Sequence, residues 1–142
     1  MRGAVVSGAI LLAVVAVRAQ SVVTFENVAK SVGMTFTHVN GASPEKYLVE
    51  TMGSGAAFLD YDNDGWIDLF VVDGGSIAAA GKSTAQHRLY HNEGKGIFKD
   101  VTAASGIVHR AYGMGACAGD MDGDGRTDLY VTNYGPNVLY RN

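Results

Sequence analysis

Residues 51–72 read TMGSGAAFLDYDNDGWIDLFVV, and residues 111–132 read AYGMGACAGDMDGDGRTDLYVT. Laid over one another without a gap, they agree at ten of 22 positions. Gly53, Gly55, Ala56, Asp60, Asp62, Asp64, Gly65, Asp68, Leu69 and Val71 return as Gly113, Gly115, Ala116, Asp120, Asp122, Asp124, Gly125, Asp128, Leu129 and Val131. Each copy is an apolar run, an acidic turn and a second apolar run, and self-similarity of this kind marks a fold built from stacked supersecondary units. The likeness extends outward. Leu89-Tyr90-His91-Asn92 returns as Leu139-Tyr140-Arg141-Asn142, with a Gly-, Ala- and Ser-rich insertion over 74–84 in the first copy. Upstream, Phe25-Glu26-Asn27-Val28 with Gly33-Met34 is echoed by Phe98-Lys99-Asp100-Val101 with Gly106-Ile107.

The apolar runs predict short strands at 56–59, 69–72, 88–91 and 97–100, and again at 116–118, 129–132 and 138–141. Asn92-Glu93-Gly94-Lys95-Gly96 and Tyr134-Gly135-Pro136-Asn137 carry the turn chemistry between them. A helical turn is expected at 101–105 and one further strand at 47–50. Residues 25–28 read as a loosely held outer strand. Four short antiparallel strands per unit of about 60 residues is the spacing of a β-propeller blade; a sandwich leaves the repeat unexplained. The expectation is an all-β, incomplete β-propeller within 20–142, with repeat 1 over about 53–101 and repeat 2, truncated, over about 113–142. Two such units share one interface and leave two faces open. Phe58, Leu69, Val71, Leu129 and Val131 are expected on the exposed strands, and the chain is expected to associate or fold only partly without further blades.

The acidic turns carry the chemistry. Asp60, Asp62, Asp64 and Asp68 stand at positions 1, 3, 5 and 9 of a loop, as do Asp120, Asp122, Asp124 and Asp128. Gly65 and Gly125 take position 6, where the chain must turn sharply. Calcium takes six to eight hard oxygen ligands, and alternate residues of a tight loop aim their carboxylates at one centre. The main-chain carbonyl at position 7, of Trp66 or Arg126, supplies a further oxygen. Neither side chain is a ligand, because the two copies differ there. An EF-hand ends in a bidentate Glu at position 12 between helices; here position 12 is Val71 or Val131 in a strand. Magnesium prefers fewer carboxylates and more water. Two Ca²⁺ sites are therefore expected.

The remaining composition narrows the function. Of 142 residues, 47% are hydrophobic and 19 are Gly, against two Pro, which fits a packed core with many tight turns. The net charge of −3 lacks the basic face that nucleic acid requires. Arg2 followed by an apolar run over 4–17 and Val17-Arg18-Ala19 reads as a signal peptide over 1–19. Its removal leaves nine basic against 14 acidic residues and no membrane span. Cys117 alone makes no intrachain disulfide and, aligned with Ala57, reads as a buried small residue. Four scattered His lack zinc spacing; His91, aligned with Arg141, reads as a surface strand residue. Gly113-Met114-Gly115 is followed by a strand rather than the helix of a dinucleotide fingerprint.

Gly-x-Gly-Ala, the Asp-x-Asp-x-Asp-Gly-x-x-Asp-Leu run, Leu-Tyr-x-Asn and Phe-x-Asp-Val-Thr together resemble FG-GAP/VCBS repeats, the blades of integrin-α-like propellers. The wording over 24–142 resembles secreted proteins of the CRTAC1/ASPIC-UnbV type. That resemblance implies an extracellular, calcium-stabilised propeller of about seven blades used for adhesion or ligand binding, with later blades lying beyond this chain. The expected function is a secreted or periplasmic calcium-binding scaffold, not an enzyme, for an extracellular protein or carbohydrate ligand. The rival expectation is the accessory propeller domain of an extracellular polysaccharide- or lipid-active enzyme.

Overall fold

The computed structural model describes residues 23–77, 86–108 and 111–142. The proposed leader at 1–19 and most of the 74–84 insertion lie outside them. The first sheet is an antiparallel meander of β1 (Ala56–Leu59), β2 (Asp68–Val71), β3 (Arg88–Asn92) and β4 (Phe98–Asp100), neighbours in that order. The second is a three-stranded meander of β5 (Tyr112–Gly119), β6 (Asp128–Tyr134) and β7 (Val138–Tyr140). The chain is all-β, and neither sheet closes on itself; the arrangement is that of an incomplete propeller, in keeping with the sequence.

Register decides what each face carries, because side chains alternate along a strand. In the first sheet Ala57 pairs with Phe70 and Phe70 with Leu89. In the second, Ala118 pairs with Leu129 and Ala116 with Val131. These two faces meet. Ala57, Leu59, Phe70, Val72 and Leu89 form one cluster with Leu129, Val131 and Ile107, and Ala116, Ala118 and Tyr140 pack on its margin. The innermost strands β1 and β5 lie side by side. A side chain on Gly55 would come within 3.0 Å of the Gly115 Cα, so small residues at this repeated position let the backbones approach. Ser54 Oγ donates to the Gly113 carbonyl (2.9 Å) and Gly113 N–H to the Asp73 carbonyl (3.1 Å), latching the sheets together.

This packing corrects the expected open faces. Leu129 and Val131 are buried in the shared core, not exposed. The outward face of the second sheet instead carries Cys117, Tyr130 and Leu139, joined by register. Cys117 is exposed rather than buried. Its counterpart Ala57 faces the second sheet, whereas Cys117 points the same way from a sheet with nothing on that side among the described residues. Across the molecule, Phe58, Leu69 and Tyr90 share the other outward face. Phe58 is 72% exposed, while Leu69 and Tyr90 are buried. The segment around Thr35, Phe36 and Thr37 lines a groove with Arg88 and Tyr90 on this face.

Two local readings are also corrected. Residues 47–50 are no strand; Leu48–Thr51 is a 3-10 turn. The Glu50 carboxylate is buried and accepts the Ser43 N–H (3.1 Å) and Ser43 hydroxyl, while Tyr112 hydroxyl donates to the carbonyls of Asn40 (2.9 Å) and Val49 (3.1 Å). These contacts fold the chain back on itself and override the apolar pattern. Residues 25–28 form no strand either, and Phe25 is exposed. The chain first docks at Val32, whose carbonyl accepts the Phe98 N–H at 2.7 Å. The helical turn after β4 is present, with Ser105 N–H on the Val101 carbonyl (3.0 Å). Thr102 Oγ1, buried there, accepts the Leu89 N–H at 2.9 Å and ties the turn to β3. Among the described residues, no helix is long and apolar enough to cross a membrane.

Candidate metal centre

Each acidic loop closes the first hairpin of its sheet, between β1 and β2 or between β5 and β6. A tight turn leaves several N–H groups without strand partners, free to bond nearby side-chain acceptors. The aspartates supply them, in the same pattern twice. Asp60 accepts Asp64 N–H (3.1 Å) and Gly65 N–H (3.0 Å); Asp120 accepts Asp124 N–H (3.1 Å) and Gly125 N–H (2.8 Å). Asp64 accepts Trp66 N–H (2.8 Å), and Asp124 accepts Arg126 N–H (3.0 Å). Asp68 accepts Tyr61 N–H and Asp128 accepts Met121 N–H, each at 3.0 Å. Gly65 and Gly125 share φ = +87°, a left-handed conformation that glycine adopts without steric cost. Trp66 and Arg126, at position 7, are thus anchored through their main chain. Their side chains diverge: Trp66 lies against Gly94, and Arg126 Nη2 pairs with Asp124 Oδ2 at 2.6 Å.

The structure draws the carboxylates together. One oxygen each from Asp60, Asp62 and Asp68 lies within 4.8 Å of the others, and the same holds for Asp120, Asp122 and Asp128. Asp68 and Asp128 are buried, while Asp62, Asp64, Asp120, Asp122 and Asp124 are exposed and Asp60 is intermediate. The donor sets are hard and anionic, which is what Ca²⁺ selects, and like charges this close disfavour one another until a cation enters. The residues therefore fit a divalent cation in both loops.

Four further residues shape the site. Asn92 N–H donates to Asp68 Oδ1 (2.7 Å), and Asn142 N–H to Asp128 Oδ1 (2.9 Å). Their side-chain amides reach back to the Ile67 carbonyl (3.0 Å) and the Thr127 carbonyl (3.3 Å). The repeated Leu-Tyr-x-Asn was the signal for them: its Asn brings the third strand onto the loop. The residue just before Asn is the point of divergence. His91 Nδ1 lies 3.2 Å from Asp68 Oδ1 and 3.5 Å from Asp62 Oδ2. Arg141 Nε lies 2.6 Å from Asp122 Oδ2, and its Nη2 lies 3.4 Å from Asp124 Oδ2. His91 is therefore no bland strand residue; it stands over the first loop. The Arg126 N–H, and then the guanidinium groups of Arg126 and Arg141, hold the Asp124 carboxyl below its ordinary range. Burial and the carboxylates of Asp62, Asp68 and Asp64 push the Tyr61 phenol up.

Two antiparallel meanders, each with a carboxylate loop closing its first hairpin, define a blade-repeat protein. The family model of the FG-GAP-like repeat matches residues 60–131, and the chain belongs to that family. No significant match was found among curated proteins or among solved structures.

Proposed function

We propose that this chain is a secreted, calcium-binding propeller segment that serves as an adhesion or ligand-binding scaffold, in the manner of the CRTAC1/ASPIC-UnbV type, rather than an enzyme. Ca²⁺ in each Asp-rich loop is structural: it neutralises the carboxylates and fixes the hairpin that carries the inner strands of the blade. The observation that carries this reading is the duplicate loop. The same three backbone N–H groups are held by the carboxylates of positions 1 and 5, the same buried aspartate closes position 9, and the same φ recurs at position 6. A mere solvated turn has no reason to repeat an acidic set whose members repel one another. The apolar leader at 1–19 supports export, where Ca²⁺ is abundant. The ligand of the scaffold, an extracellular protein or carbohydrate, would be met by faces beyond the loops.

Calorimetric titration of the full chain with Ca²⁺ tests the reading. Two equivalents are expected, and the Asp60→Asn/Asp120→Asn variant should bind none. No heat of binding up to millimolar Ca²⁺, in a chain shown to be folded by circular dichroism, overturns it.

A further inference from the structure

We propose that the groove on the outward face of the first sheet binds a neutral mono- or disaccharide. The inference rests on the reading of the chain as a ligand-binding scaffold and gives that scaffold a site and a ligand class.

The groove encloses about 340 Å³, at the lower end of the roughly 300–1,000 Å³ of small-molecule sites. It lies toward the end of β2 away from loop 60–68. One wall is the face of β3 and β4 that carries Arg88, Tyr90 and Asp100. The other is the segment 35–39, which is pinned at both ends. Ahead of it, the Val32 carbonyl accepts the Phe98 N–H at 2.7 Å. At its end, Val39 N–H donates to Asp73 Oδ1 (2.8 Å), and the Val39 carbonyl accepts Gly75 N–H (2.6 Å). The walls therefore stand before a ligand arrives, which spares the cost of ordering them.

The polar groups of the groove are of two kinds. Asp73 is committed to structure: it accepts the N–H groups of Val39, Gly74 (3.1 Å) and Gln86 (3.1 Å), and His38 Nδ1 lies 3.3 Å from its Oδ1. Others are open. Tyr90 is 1% exposed, yet its hydroxyl makes no hydrogen bond among the described residues, nor do the Thr35 and Thr37 hydroxyls or the Gln86 amide. A buried phenol ordinarily finds a partner, and here the groove is the place for one. Arg88 Nε lies 3.2 Å from Asp100 Oδ2, so N–H donors and a carboxylate acceptor stand side by side.

That set selects the ligand. A sugar hydroxyl both donates and accepts, and so matches hydroxyls, an amide and a paired guanidinium and carboxylate. Phe36 and Val39 supply an apolar patch for the C–H face of the ring. An anion meets one guanidinium, already paired, against two carboxylates, and a cation meets carboxylates already occupied. Tyr140, the counterpart of Tyr90, packs on the margin of the shared core instead, so the site is particular to the first repeat.

Saturation-transfer NMR of the full chain in millimolar Ca²⁺ tests this, with glucose, galactose, N-acetylglucosamine, cellobiose and lactose as neutral probes and glucuronate and inorganic phosphate as charged ones. At least one neutral sugar is expected to bind. Tyr90→Phe keeps the ring and removes only the hydroxyl; it should leave the melting temperature unchanged and weaken the sugar about two- to tenfold. Leu139→Ala, on the opposite outward face, should leave sugar binding as it is. Circular dichroism confirms that the variants fold. Binding of no neutral sugar, sugar binding unchanged by Tyr90→Phe, or a Tyr90-dependent preference for glucuronate or phosphate overturns the proposal, and each leaves the calcium reading to its own titration. Tyr90-dependent sugar binding by a chain that takes up no Ca²⁺ upholds the site and overturns the calcium reading alone.

Discussion

Gly113→Ala is expected to destabilise the protein strongly, because the position lies where the two sheets are latched. A Cβ there would sit 2.3 Å from Val72 Cγ1, 2.7 Å from the Asp73 carbonyl oxygen and 2.7 Å from His87 Cε1. All three residues are buried, so none can swing into solvent. Ordinary carbon contacts lie at about 3.5–4.0 Å, and the sheets must part by about 1 Å. Overpacking of this kind costs about 1–3 kcal/mol. The displacement also strains the Gly113 N–H bond to Asp73 and the Ser54 hydroxyl bond to Gly113, each contributing about 0.5–1.5 kcal/mol. The expected loss is about 2–5 kcal/mol, or a fall in Tm of about 8–20 °C at ~4 °C per kcal/mol. Gly119→Ala is the control in the same strand. No atom lies within 4 Å of its Cβ position and its φ is not left-handed, so alanine fits, and the less flexible unfolded chain makes it neutral or stabilising by up to about 1 kcal/mol. Thermal and urea unfolding, followed by circular dichroism in fixed Ca²⁺, measure both. If the two substitutions shift stability equally, or Gly113→Ala costs less than about 0.5 kcal/mol, the account of the inter-sheet latch is wrong.

Three further outcomes follow from burial and hydrogen bonding. Phe70→Ala, at a side chain with 0% exposure, should cost about 3–5 kcal/mol in urea unfolding. Phe58→Ala on the outward face should cost under about 1 kcal/mol, and equal losses would contradict the assignment of the core. Thr102→Val keeps the shape but strands the buried Leu89 N–H, so a loss of about 1–3 kcal/mol is expected, restored by Thr102→Ser. Cys117 should react with a thiol reagent in the native protein as fast as in denaturant-unfolded chain, within about tenfold. Protection by orders of magnitude would return it to the buried reading.

The sequence by itself determined what is local. A turn of nine residues fixes its own geometry, because the carboxylates that hold it are two to seven residues from the N–H groups they accept. The loops at 60–68 and 120–128 were therefore legible from spacing alone. The hairpins were legible too, since adjacent strands joined by Gly-rich turns pair with little freedom of register. Only the tertiary structure decided which face of each strand is covered. Leu129 and Val131 have the same pattern as Leu69 and Val71, yet they lie in the core because the first sheet packs on them, while Cys117 faces away where its counterpart Ala57 faces in. The same long-range placement put His91 over one loop and Arg141 over the other. No spacing rule carries that: third strand and loop are more than ten residues apart, and they meet through β-pairing and an Asn–Asp hydrogen bond. At 47–50 the apolar pattern promised a strand, but the buried Glu50 carboxylate found its donors in Ser43 and turned the chain instead. A buried charge must be satisfied where it sits, and that requirement is visible only once the chain has folded around it.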